Sequence, residues 1–320
     1  MRTTLSGLIL RSSLLLLAAA PLAAQVSILK SADSELLNYI RGENADPACG
    51  VCLGAARRHS EEKARERIAK KTAGMAFIAG GPRRLGSPDG VGDPDERPAA
   101  EINLSAFYLD RTEVTIAEYT AFARATGGNY PEWLRPEGKF NILTGSDKYY
   151  RRLTPLINTC GSCPVFGVTW ENAQAYCRAK KKRLPTEAEW EAAARAGSDE
   201  AYSFGAAAAA EAYAWVETNA GETPHPVGTR KPNAYGLSDM HGNVWEWVAD
   251  LYGKTCYAER RTRDPQGPEK GQEHVIRGGS WAGDIYEARS ANRAGTKRAN
   301  DDIGFRCAVS ETELTKESGL

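Results

Sequence analysis

The chain of 320 residues has no excess charge of either sign: 41 lysines and arginines stand against 41 aspartates and glutamates. Without a basic surplus no large face can hold nucleic acid or an anionic membrane by charge, so both are excluded as main partners. Histidine is scarce, with four residues at 59, 225, 241 and 274, none at the spacing of a metal-ligand pair. Beyond the N-terminus no apolar run is long enough to cross a bilayer, and no fixed-period repeat marks a solenoid or propeller. One absence is local. The segment Ala282 to Ala288, directly after Gly278-Gly279-Ser280-Trp281, contains no cysteine.

Residues 1–24 read as an export signal, with Arg2, the apolar core Leu14 to Ala20 and small residues before Gln25. A periplasmic or secreted location follows as an expectation, with no membrane span after cleavage. Residues 25–72 read as a helical segment broken at Asp46-Pro47, with Cys49-Gly-Val-Cys52 between its two runs. Its basic stretch, Arg57 to Lys71, also carries Glu61/Arg65 and Glu66/Lys70 at i,i+4 and reads as a solvated helix face. From Gly74 the composition shifts to Gly, Pro, Asn and Trp. Within residues 73–310 three helices are predicted, Thr115–Ala125, Glu171–Lys180 and Thr186–Arg195, the last opening on the capping box Thr186/Glu189. Short strands are predicted at Ala76–Ile78, Phe107–Leu109 and Val165–Val168, an alanine-rich surface insertion at 206–212, and a tail at 311–320. The fold class is α+β, with little regular secondary structure.

Seven cysteines stand at 49, 52, 160, 163, 177, 256 and 307. Cys49/Cys52 and Cys160/Cys163 are two C-x-x-C pairs. Four such thiolates suit zinc, but in an exported chain disulfides are favoured, within each pair or crossing between them. A thioredoxin-like pair lacks its strand–turn–helix context, and no histidine follows Cys52 for haem attachment. Cys256 is left odd, either free or paired with another protein.

Nine segments occur in order: Glu113-Val-Thr115, Val168-Thr-Trp170 with Ala175-Tyr-Cys177, Arg183-Leu-Pro-Thr-Glu-Ala-Glu-Trp-Glu191, His225-Pro-Val-Gly228, Pro232 to Leu237, Asp239-Met-His-Gly-Asn-Val-Trp-Glu-Trp247, Arg277-Gly-Gly-Ser-Trp281, Arg289-Ser-Ala-Asn-Arg293 and Gly304-Phe-Arg-Cys307. Together they resemble the formylglycine-generating, or sulfatase-modifying-factor, family, whose fold elaborates the C-type lectin fold. The resemblance implies a Cys177–Cys307 disulfide and a structural calcium held at Asp239, Gly242, Val244 and Glu246; a second calcium site near Ala214-Trp215 lacks its acidic pair. It also implies that two copper-binding cysteines should follow the Gly-Gly-Ser-aromatic motif. Here that segment is sulfur-free and about three residues shorter, so copper-thiolate oxidation is not expected. The four histidines do not make the three-histidine iron site of the sulfoxide-synthase relatives.

Two expectations remain for the cleft. One is chemistry of a different kind, as in the pyoverdine-maturation relatives, with Asp284 or Glu287 as general base and Ser280 beside them. The other is a binding module or accessory subunit in which Trp245, Ser280, Trp281, Arg289 and Arg293 line a groove for a protein, peptide, glycan or small molecule, with residues 26–72 as a docking arm for an envelope protein. Arg289, Arg293 and Arg306, near Asp301 and Asp302, read as buried forks on carboxylates or as a lining for an anionic ligand.

Overall fold

The computed structural model describes residues 50–143 and 150–318, with side chains described from 58 to 143 and from 150 to 317. The export signal of residues 1–24, the first helical run of the segment 25–72 and Cys49 lie outside the described residues, as does the side chain of Cys52. The chain divides into two compact units. One ends at Lys71 and takes in the residues from Glu317, and the other runs from Thr72 to Lys316. In the first, α1 (Gly50–Lys71) is a single helix that already includes the backbone of Cys52. Among the described residues no helix is long and apolar enough to cross a membrane.

The second unit is built on three small sheets. In one, β1 (Met75–Ile78) and β9 (Ala308–Ser310) pair antiparallel with either side of β4 (Phe107–Asp110), which brings the start of the unit beside its end. In another, β2 (Gly81–Leu85) pairs with β3 (Ala100–Leu104). The third is centred on β5 (Trp245–Leu251), which carries β6 (His274–Arg277) antiparallel on one side and β8 (Ile303–Gly304) parallel on the other; β7 (Arg293–Thr296) closes the outer edge of β6. Trp245 to Val248 are all buried, as expected for a central strand covered on both faces.

The helices follow their caps. Thr115 and Glu118 form a reciprocal box that opens α2 (Ile116–Thr126), and Gly127 closes it in a left-handed conformation. After the short α3 (Thr154–Thr159), α4 (Trp170–Ala179), capped by Thr169, starts one residue before the predicted Glu171. The box predicted at Thr186/Glu189 opens α5 (Glu187–Arg195), every residue of which is buried. Tyr119, Phe122, Tyr176 and Phe305 interlock where α2 meets α4, with ring centroids 5.2 to 5.9 Å apart. The Cys177–Cys307 disulfide ties α4 to the segment before β9.

One expectation fails. Val165–Val168 is not a strand, because its amides bond to irregular chain (Val165 N to Val114 O, Gly167 N to Asn300 O) and Gly167 turns at φ 68°. Within the tail, Glu311–Ser318 forms a helix.

Candidate functional site

The loop after β6 can fold as it does because of Gly278 and Gly279, both at positive φ. A Cβ on Gly279 would stand 2.9 Å from Ala288 N, and one on Gly278 would stand 3.1 Å from the Trp190 ring. The glycine pair therefore lets residues 280–288 double back against themselves and against α5. Ser280 Oγ donates to Asp302 Oδ2 at 2.8 Å and accepts from Ala282 N at 3.3 Å, while Ser280 O takes Gly283 N. Trp281 N donates to Asn243 O, and Trp245 N donates to Asp302 O. The Asp239–Trp247 segment thus anchors both halves of the site.

Carboxylates converge on this loop. Glu287 lies folded over Gly283, its own amide donating to Asp284 Oδ1 at 3.2 Å. Glu217, which opens α6 (Glu217–Ala220), donates its amide to Gly283 O at 2.9 Å. Burial, then Asp284, Asp302 and Glu217, push the Glu287 carboxyl above its ordinary range. Burial also raises Asp302, although the Ser280 hydroxyl favours its charge. Trp281 is 2% exposed, and its indole N–H has no acceptor among the described residues. The Arg152 guanidinium lies 5.0 Å over its ring and pairs with Asp301. Ser280, Trp281, Asp284 and Glu287 therefore share one neighbourhood. Asp302, Glu217 and Arg152 complete it; only their positions in space, not a motif, would have found them.

The arginines expected to line the groove do not. Arg289 forks onto Glu96 (2.7 and 2.8 Å), and Arg293 forks onto Glu187 (2.7 Å twice), with 6% and 4% of each residue exposed. Arg306 forks onto Glu246, and Arg277 donates to Glu191 at 2.7 Å. Buried guanidinia of this kind are satisfied by charge and geometry together. Their carboxylates come from distant sequence, not from Asp301 and Asp302. Trp245 is packed in the core.

In the expected calcium segment, Asp239 has φ 59° and its Oδ2 accepts Gly228 N at 2.6 Å. At Gly242, φ 95°, a Cβ would run into the Trp215 carbonyl, with which this turn forms a bridge. Glu246 takes Arg306 on both oxygens and Trp190 Nε1 on one, and Val244 between them is fully buried. Beside them lies Glu113, 1% exposed, with Oε1 accepting from Asn243 Nδ2 and its carboxyl set against that of Asp239. Burial and the Asp239 charge push Glu113 well above the usual carboxyl range. Three buried carboxylates thus face one guanidinium. Among the described residues no cluster of three or more His, Cys, Asp or Glu side chains is disposed to hold a metal.

Cys160 and Cys163 are bonded to each other, so they neither cross to the N-terminal pair nor offer thiolates to zinc. Cys256 is free, its Sγ taking an N–H from Arg293 at 3.3 Å. His241 donates Nδ1–H to Ala288 O, leaving Nε2 as acceptor for Ser203, and His225 stacks on Trp215 at 3.6 Å; both are packing residues.

The model of the family described as sulfatase-modifying factor enzyme 1-like domain matches residues 60–311. A formylglycine-generating enzyme of Streptomyces coelicolor is 32% identical over 318 residues, covering 78% of this chain and 93% of its own. Among solved structures, PvdO from Pseudomonas aeruginosa superposes with TM-score 0.61 at 29% identity, covering 74% of this chain and 94% of PvdO. Treponema denticola variable protein 1 does so at 0.59 and 28%, with the same coverage.

Proposed function

The chain belongs to the sulfatase-modifying factor enzyme 1-like family, and within it we propose an exported protein whose Ser280–Trp281 cleft binds a peptide or small molecule and works with carboxylates instead of copper thiolates. One observation carries the reading. Where a copper(I) site needs two soft sulfur ligands, the loop supplies Asp284 and Glu287 beside a Ser280–Asp302 pair. Those donors do not fit copper(I), so no step passes through that metal.

What the residues offer is acid–base chemistry and orientation. Glu287, held toward its protonated form by burial and then by its acidic neighbours, is placed to give or take a proton from a bound group. Asp302 and Ala282 N fix the buried Ser280 hydroxyl in one orientation. A maturation factor of the pyoverdine type is the enzymatic form of this reading. The non-catalytic form is a lectin-like binding module.

Calcium is part of the proposal as a structural ion. Asp239 and Glu246, with the carbonyls of Gly242 and Val244, would hold it, in a buried pocket where Glu113 adds a third carboxyl and Arg306 occupies both Glu246 oxygens. A periplasmic or secreted location agrees with two disulfides within the described chain.

The deciding experiment supplies purified mature protein with copper(I), oxygen and a cysteine-containing sulfatase peptide, and reads formylglycine by mass spectrometry. No conversion and no thiolate-bound copper are expected. Conversion at a rate matching a cysteine-bearing homologue would sink the proposal.

A further inference from the structure

One buried hydroxyl of the core has no bond. Tyr176, in the interlock of α2 and α4, is 5% exposed, and among the described residues nothing pairs with its phenol O–H. The other buried tyrosines are all bonded: Tyr119 to Asn129 O, Tyr150 to Glu132, Tyr202 to Ile285 O and Tyr257 to Glu191. A buried tyrosine ordinarily finds such a partner, because an unpaired donor away from water is costly. Tyr176 instead lines a cavity of about 360 Å³, room for a small molecule rather than a single water. The first turn of α2, the end of α4, residues 110–114 and the residues before β1 wall it. None of residues 280–288 does, so the site is separate from the cleft after β6.

The walls are held from behind. Asp110 takes Lys182 Nζ at 2.5 Å on one oxygen and Cys307 N at 3.1 Å on the other, and Arg111 N donates to Gly74 O at 3.0 Å. Two opposite charges lining the cavity are left over, and they do not pair with each other. Lys180 Nζ stands 5.5 Å from the centre of the Tyr176 ring and has no carboxylate partner among the described residues. Glu118 Oε2 accepts from Thr115 N and Oγ1 in the capping box that opens α2, which leaves Oε1 unbonded. Glu113, in the wall behind them, is set against Asp239 and held toward its neutral form by burial. The cavity therefore offers a ligand one cation, one anion and a phenol that burial and then the Glu118 charge keep protonated.

We propose that this cavity binds a free α-amino acid as its zwitterion, the carboxylate accepting from the Tyr176 hydroxyl and Lys180 Nζ and the α-ammonium donating to Glu118 Oε1. One small molecule then satisfies the phenol and both uncommitted charges. A simple carboxylate would leave Glu118 facing an anion, and a simple amine would leave Lys180 facing a cation and the phenol without an acceptor, so both are selected against. The site stands apart from the reading of the Ser280–Trp281 cleft and would exist whether or not that cleft is catalytic.

Isothermal titration calorimetry on the mature full chain tests this with L-glutamine, L-leucine, L-aspartate and L-lysine as probes. The tightest binder is then compared with its deamino and decarboxylated forms, which for glutamine are glutaramate and 4-aminobutanamide. Each truncated form should bind at least about tenfold more weakly. Tyr176→Phe keeps the ring in the interlock and removes only the hydroxyl, and it should weaken the amino acid about tenfold. Lys180→Gln, at the exposed rim, should weaken it about threefold and tests the same contact without touching the core. Lys181→Gln makes the same charge change one residue on, outside the cavity, and should leave binding unchanged. If none of the four amino acids binds, the proposal is overturned. Equal binding of a deamino or decarboxylated form overturns the zwitterion. Equal weakening by Lys181→Gln and Lys180→Gln, with none from Tyr176→Phe, places the binding elsewhere and overturns the site.

Discussion

Arg306 offers the most direct test of what holds this fold together. Its guanidinium is fully buried and donates four ways: Nε and Nη2 to the two oxygens of Glu246, Nη1 to Asp110 O at 3.1 Å and Nη2 also to Ser238 O at 2.9 Å. It joins β5, the end of β4 and the turn before Asp239 in one contact. Arg306→Met keeps most of the volume but leaves Glu246 charged, buried and served by the Trp190 N–H alone. Removing one partner of a buried pair costs about 3–5 kcal/mol. A domain of this size loses about 2–4 °C of Tm per kcal/mol, so the melting point should fall by roughly 6–20 °C. Urea unfolding followed by far-ultraviolet circular dichroism, with disulfides intact, measures the loss directly. The double variant Glu246→Met/Arg306→Met removes the stranded charge and should recover more than half of it. A single-variant loss below about 1 kcal/mol, or strict additivity in the double variant, would show that the pair is not the tie described here.

Other consequences are equally concrete. Burial holds the His241 imidazole down to about 4, so the neutral ring is the native form; its contribution to stability is present above its ordinary pKa and is lost as pH falls from about 6.5 toward 4. Ring resonances that titrate near 6.5 would contradict this. Glu191, which burial disfavours but Arg195 and Arg277 hold ionised to about 2, loses its contribution as pH falls from its ordinary range toward that value, and Glu191→Gln should flatten the acid limb of the unfolding midpoint. Gly242→Ala meets both the Trp215 carbonyl and an unfavourable φ, and should lower stability by at least about 2 kcal/mol in the same urea assay. Opening the 130-residue Cys177–Cys307 loop by a paired serine substitution should cost up to about 4–5 kcal/mol, more than opening Cys160–Cys163. Added calcium should raise Tm in the wild type, and Asp239→Asn should blunt the response; a Tm unaffected by calcium and by chelator would remove the ion from the proposal.

The helices were legible because their signals are local. Thr186 and Glu189 stand three residues apart and cap each other in space as in sequence. Val165–Val168 misled because its apolar residues are buried without being paired as a strand; burial alone does not distinguish a strand from a packed loop. The arginines were half legible. Their burial on carboxylates was foreseeable from a charged fork in an otherwise apolar motif, but the partners were not. Glu96 is 193 residues from Arg289, and Glu187 is 106 from Arg293, so no spacing rule reaches them. Asp302 was read as an arginine partner and is instead the acceptor for Ser280.

That exchange of partners bears on how one family fold carries different chemistry. The guanidinium forks are made by α5, β5, β6, β7 and the ends of the unit, and of the loop after Ser280 only Arg289, at its far end, takes part. Gly278 and Gly279 set the path of that loop through backbone conformation, not through any catalytic side chain. Residues 282–288 can therefore lose sulfur, shorten and gain carboxylates without disturbing the pairs that stabilise the unit. The cost of the change appears at the cleft itself, as crowded acids and an unsatisfied indole N–H. Strain of that kind is tolerated where a ligand relieves it, and the stability of the apo protein should rise when the correct ligand binds. An alanine-for-acid change at Asp284 should then stabilise the free protein slightly while weakening its ligand, an opposition that a purely structural loop would not produce; if Asp284→Ala lowered the urea midpoint instead, the loop's carboxylates would have to be counted as part of the fold.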